Sequence, residues 1–150
     1  MNASGAFEMN ATNQTIRCVS CGKLTGCKID QSAIDNTLRW YMAYTCGSCG
    51  SAVEFDDVGF PPAEIRKLIL DSGGCWEIFL LPEENRVKAV KLLKNKLEWT
   101  NRDALARLKN PNGPVFQGTR TEVEWLHSLL IQDGVRSRQE ETRHPLEDSD

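Results

Sequence analysis

The sequence predicts an α+β protein in two dissimilar parts, a small all-β module followed by a β-α-α-β-α-β domain. Three observations carry that expectation. Two Cys-x-x-Cys hooks, Cys18-Val19-Ser20-Cys21 and Cys46-Gly47-Ser48-Cys49, flank a stretch that ends in alternating apolar and polar residues. Beyond residue 85 the apolar residues instead return every three or four positions, the spacing of a buried helix face. Gly73-Gly74 lies between the two regimes and marks a boundary or hinge.

Two thiolates separated by two residues can grip one ion from a single tight turn, and two such hooks complete a tetrahedral shell of sulfur. Gly22 and Gly50 follow the hooks, where glycine lets the backbone turn tightly and aim its amides at the sulfurs. Cys18, Cys21, Cys46 and Cys49 are therefore the expected metal ligands and zinc the expected ion; two disulfides or four uncommitted thiols are the alternatives. A shell closed by four cysteines leaves no vertex for water or substrate, so such an ion holds structure. Leu38, Trp40, Met42 and Tyr44 alternate with Arg39, Tyr41 and Ala43 as in a half-buried strand running into the second hook, and Ala52-Val53-Glu54-Phe55 supplies a second strand. With its hooks, turn glycines and hairpin, Cys18 to Phe55 resembles a zinc ribbon. Apolar residues are few here, so its fold is expected to depend on the metal, worth about 10–16 kcal/mol of apparent binding free energy in small zinc modules.

The composition fits this scheme. A chain of 150 residues makes one ordinary domain or two small ones, and a small domain needs a staple. No apolar run reaches the length of a bilayer span, and Met1-Asn2-Ala3-Ser4-Gly5 lacks the basic and apolar regions of a signal peptide, so a cytoplasmic protein is expected. A reducing compartment favours metal over disulfides for paired cysteines. The net charge of −3 disfavours a general nucleic-acid binder, which needs a basic footprint.

In chain order, residues 1–15 are polar and unpatterned and read as a loose arm, followed by the metal module over 16–57. Asp56-Asp57-Val58-Gly59-Phe60 breaks the strand pattern, and Pro61-Pro62-Ala63-Glu64 opens a short helix in the connection 58–74, with proline and acid suited to its first turn. The second domain is expected over 75–138. It starts with the strand Cys75–Leu81, and then Val87, Val90, Leu93 and Leu97 line one helix face. Thr100-Asn101-Arg102-Asp103 and Thr119-Arg120-Thr121-Glu122 have the form of capping boxes and start two further helices. Val115-Phe116-Gln117 is a short strand between them, and Val135–Arg138 is the material left for a last one. Residues 139–150 are charged and unpatterned, a mobile tail.

Trp76 to Arg138 resembles the C-terminal domain of the bacterial ribosomal stalk protein, the module that recruits translation factor GTPases. The resemblance runs through the order of elements, the Val87-Lys88-Ala89-Val90-Lys91 helix, the Asp103-Ala104 helix start, the Thr119 cap and the Asp133-Gly134-Val135 ending. It implies a three-stranded antiparallel sheet with three helices on one face. It also implies a factor-docking surface, matched here by Arg86, Val87, Val90, Lys91 and Lys94. Two departures stand out: Glu98-Trp99-Thr100-Asn101 replaces a Gly-Leu-Gly-Leu connection, and Leu105 replaces a lysine.

No nucleophile and base can be paired, and no phosphate-binding loop is present, so no enzyme is expected. His127 and His144 are read as surface or satisfied residues, and Cys27 and Cys75 as packing. The acidic pairs Asp56-Asp57 and Glu83-Glu84 read as solvated caps. Between Arg86 and Lys109 the chain carries eight cations against Glu98 and Asp103, within an acidic protein. This is either a solvated face or a docking face for an acidic protein, with Trp99 as an aromatic anchor at its rim. The expectation is a non-enzymatic zinc-binding adaptor that docks on a protein, a translation factor foremost. An immunity or inhibitor protein against a toxin enzyme is the second reading, and a nucleic-acid-binding ribbon using Arg39, Trp40 and Tyr41 the third.

Overall fold

The computed structural model describes residues 12–142, with backbone only for Thr12 and Asn13. The chain divides between Gly73 and Gly74 into two compact units. The fold is α+β, with one antiparallel sheet in each unit. No helix among the described residues is long and apolar enough to cross a membrane.

Unit 1 is a four-stranded meander of β1 (Thr12–Arg17), β2 (Leu24–Ile34), β3 (Thr37–Thr45) and β4 (Ala52–Val58), paired in chain order. Two of these strands fall outside the sequence expectation and a third is longer than expected. Of the arm placed over 1–15, residues 1–11 lie outside the described residues, and 12–15 belong to β1. β2 was not expected as a strand, because its inward positions Thr25, Cys27, Ile29 and Gln31 include two polar residues that mask the alternation. Its turn was readable: Asp35 and Asn36 both take left-handed backbone, φ 54° and 65°, as a two-residue hairpin loop requires. β4 runs to Val58, and Asp56 and Asp57 pair across it with Tyr41 and Trp40 rather than ending it. Cross-strand pairing overrides their turn preference at this edge.

Helix α1 (Ala63–Gly73) follows Pro61-Pro62 and packs on unit 1, the neighbour the sequence leaves undecided. Its Ile65 is buried with Cys18, Cys27, Ile29, Met42, Tyr44 and Cys46, and Leu68 and Ile69 flank them. Register places Ile29 opposite Met42 and Tyr44 opposite Val53, so a single sheet face carries this core.

Unit 2 runs β5 (Trp76–Leu80), α2 (Arg86–Leu97), α3 (Asn101–Lys109), β6 (Phe116–Gly118), α4 (Arg120–Gln132) and β7 (Ser137–Glu141). β5 is central, antiparallel to β6 on one side and β7 on the other. Ile78 of β5 is buried among Ala89 and Leu93 of α2, Val115, Phe116, and Val123, Leu126 and Leu130 of α4. β7 starts later than Val135–Arg138 and takes residues 139–141 from the expected tail, whose remainder from 143 lies outside the described residues. Backbone pairing with β5 needs no apolar side chain, so polarity did not prevent a strand here. Both capping boxes form, with Thr100 and Asp103, and Thr119 and Glu122, exchanging side chain-to-amide bonds. Glu83 and Glu84 both pair with Arg136 instead of standing free, and the hydrogen bond from Arg136 holds the Glu84 carboxyl below its usual range.

α2 ends on Glu98 in left-handed backbone, φ 57°, with the Glu98 and Trp99 amides both donating to the Lys94 carbonyl. That conformation suits glycine. Glu98→Gly is expected to stabilise unit 2 by about 0.5–1 kcal/mol in urea denaturation, through removal of the left-handed cost. Leu126→Ala, which empties a fully buried site, is expected to cost about 2–5 kcal/mol by the same measurement.

Candidate metal centre

The two hooks occupy equivalent places: one joins β1 to β2, the other joins β3 to β4. Their internal bonds repeat. The Cys18 amide donates to the Lys23 carbonyl and the Cys46 amide to the Ser51 carbonyl, each at 2.8 Å. Gly22 and Gly50 donate to the carbonyls of Cys18 and Cys46, each at 2.9 Å, and both glycines sit at φ 79°, where a side chain would be strained. The Ser20 amide points at the Cys18 sulfur, 3.3 Å, and the Ser48 amide at the Cys46 sulfur, 3.4 Å.

All four sulfurs lie within 4.8 Å of one another, and two contacts run across the hooks: Cys18 to Cys49 and Cys21 to Cys46, both 3.7 Å. A tetrahedron with metal–sulfur bonds of about 2.3 Å has an edge of about 3.8 Å. The cluster therefore has the dimensions to hold a metal ion. The cysteines are free thiols rather than two disulfides. Cys18 and Cys46 are buried in the unit 1 core, while Cys21 and Cys49 are exposed.

Amides set the charge distribution. Backbone N–H groups of the first hook, led by that of Cys21, pull the Cys18 thiol down to about 6 against the effect of burial. The amides of Cys49 and Ser48 lower Cys46 in the same way. At Cys21 the Lys23 amide also lowers the thiol, but burial and the three neighbouring sulfurs outweigh it and raise it to about 11. The outer Cys21 sulfur thus keeps its proton at neutral pH while the inner Cys18 sulfur carries negative charge, and a cation entering the cluster must displace that proton.

Sequence reasoning missed Tyr44 as part of this centre. It is buried, and its hydroxyl oxygen accepts the Val19 amide of the first hook at 3.0 Å. The available signal was its inward position two residues before Cys46. Cys27 is buried in the core and is not one of the four clustered thiols; burial raises it above the ordinary thiol range. Cys75 lies in unit 2, also buried.

The residues expected to face a partner are distributed unevenly. Val87 and Lys91 are exposed and Lys94 is half-buried on α2. Val90 is 2 % exposed and faces the unit 2 interior, because the helix turn that brings Ala89 and Leu93 inward brings Val90 with them. Arg86 is committed elsewhere: its guanidinium donates to the carbonyls of Arg107, Asn110, Pro111 and Gly113, closing the end of α3. Trp99 packs against the core with the Arg107 guanidinium 4.3 Å from its ring centre, so it is not a free anchor. His127 is hydrogen-bonded to Ser137 at 2.7 Å. Trp40 and Tyr41, adjacent on one strand, point to opposite faces, and Trp40 packs against the unit 1 core. The two rings cannot stack together on one strand of bases.

Titration of the metal-free protein with Zn²⁺ at pH 7 is expected to release at least one proton per ion, read by calorimetry in buffers of different ionisation enthalpy, and affinity is expected to rise with pH. Cys46→Ser is expected to abolish stoichiometric binding while Cys27→Ser retains it, as measured by elemental analysis. No family model, no curated protein and no solved structure matches the chain.

Proposed function

We propose that this chain is a non-enzymatic adaptor in which Zn²⁺ held by Cys18, Cys21, Cys46 and Cys49 staples unit 1, and the α2–α3 helix pair of unit 2 docks on an acidic face of another protein. Four thiolates in a closed tetrahedral arrangement suit zinc, and iron is the competitor with the same ligand set. The observation that carries the docking role is uncompensated charge. Lys91, Lys94, Lys96, Arg102 and Lys109 make no ion pair among the described residues, in a chain of net charge −3. Of the two acids in this segment, Asp103 is taken up by the Thr100 cap. Val87 and Leu105, 55 % and 53 % exposed, add apolar surface to the same two helices. Cations steer association and the apolar residues supply desolvated area.

The element order of unit 2 and its three-stranded antiparallel sheet support the likeness to the stalk domain. A translation factor GTPase is therefore the first partner to test. Purified wild-type protein is expected to contain one equivalent of zinc and to bind the factor in a salt-sensitive manner. Lys91→Glu with Lys94→Glu is expected to weaken binding by about tenfold or more, with zinc content unchanged. Iron in place of zinc overturns the metal assignment, and affinity that survives the charge reversal overturns the docking face. Inhibition of a toxin enzyme, or recovery of RNA, in the absence of factor binding replaces the partner class.

A further inference from the structure

The sheet of unit 1 carries a second polar feature, on the face opposite to its core. Alternation along β2, β3 and β4 sends Ile29, Met42 and Phe55 to the core face, and the next row, Asp30, Tyr41 and Asp56, to the other. Asp30 is directly opposite Tyr41, and Tyr41 is directly opposite Asp56. The adjoining row is Ser32, Arg39 and Val58. Together Asp30, Ser32, Arg39, Tyr41 and Asp56 line a cleft of about 210 Å³. That is room for about seven waters, the scale of one side chain rather than of a folded element.

Asp30 is 6 % exposed. Its Oδ1 accepts the amide of its neighbour Gln31 at 2.8 Å, and among the described residues Oδ2 has no partner. Among the described residues no cation pairs with either carboxylate: Arg39 is exposed and forms no ion pair with Asp30 or Asp56. Burial raises the Asp30 carboxyl above its usual range, partly offset by the Gln31 amide. A buried carboxylate without a counter-charge is costly to maintain, and this one borders an open cleft instead of a packed partner.

We infer that this cleft binds the guanidinium group of a ligand, held between Asp30 and Asp56 over the Tyr41 ring. Strand spacing of about 4.8 Å puts the two carboxylate-bearing positions about 10 Å apart across Tyr41. A planar guanidinium has donors on opposite edges and can reach both sides, whereas an ammonium is a point charge that satisfies one. The ring between them adds cation–π attraction to the same group. Lys91, Lys94 and the metal-binding thiols take no part.

Calorimetry and amide chemical-shift titration of the zinc-loaded full chain test this, with N-acetyl-arginine amide as the probe and N-acetyl-lysine amide as the control. Saturable binding is expected, at least about fivefold tighter for the arginine probe, with Asp30→Asn weakening it tenfold or more and Asp56→Asn by a smaller factor. Zinc content and the shifts of core amides report whether each variant is folded, and Asp56→Asn, at an exposed position, keeps the test open should Asp30→Asn misfold. No binding, or binding that neither variant weakens, overturns the site. Equal affinity for the lysine probe overturns the guanidinium assignment. Free arginine binding as tightly as the capped probe assigns the site to a small guanidino compound, and tighter binding of a Gly-Arg-Gly peptide assigns it to a polypeptide side chain.

Discussion

Four main-chain amides hold the first half of this molecule in order. Those of Ser20 and Ser48 point at sulfur, and those of Gly22 and Gly50 close the turns that aim them. Each hook is fixed by bonds internal to it, so its two sulfurs are presented before any ion arrives. The sheet then brings the hooks together, because β2 and β3 are joined by a two-residue turn and cannot slip without breaking their register. Preorganisation at this level means that an ion entering the cluster does little bending of the chain and mostly neutralises charge already placed.

Two of these sulfurs are also packing atoms. Cys18 and Cys46 belong to the core that α1 covers, alongside Ile29, Met42, Tyr44 and Ile65. Tyr44 connects the two roles, with its ring in that core and its hydroxyl on the first hook. Unit 1 is therefore less dependent on the cysteine cluster for apolar burial than the segment Cys18–Phe55 alone suggests, because β1, β2 and α1 contribute to its core. Among the described residues unit 2 has no such cluster, and it relies on ordinary means: an apolar interior, two capping boxes, and one arginine that satisfies the carbonyls at the end of α3.

The clustering of the four cysteines, the helices of unit 2 and their caps were legible because each rests on a local rule, a spacing or a periodicity that tertiary structure did not override. The failures are those of local rules too. β2 hides its alternation behind Thr25 and Gln31, and β7 owes its strand to a neighbour rather than to its own residues. Val90 and Arg86 were misplaced as partner-facing residues for different reasons. Helical spacing put Val90 on the inner stripe with Leu93, which a strict count along α2 reveals, whereas nothing local announces that Arg86 closes a loop more than twenty positions away. Trp99 was read as an anchor because aromatic residues beside cations suit interfaces; here the cation, Arg107, is its own intramolecular cover.

The uneven exposure of the four cysteines has a consequence for turnover. One sulfur from each hook, Cys21 and Cys49, lies at the solvent boundary while its companion is enclosed. A competing ligand or an oxidant would meet the outer pair first, leaving an ion tethered by only the inner two, one per hook. Exchange would then begin at the rim and proceed inward, with the sheet still zipped, so that loading and unloading could cycle without passing through the unfolded chain.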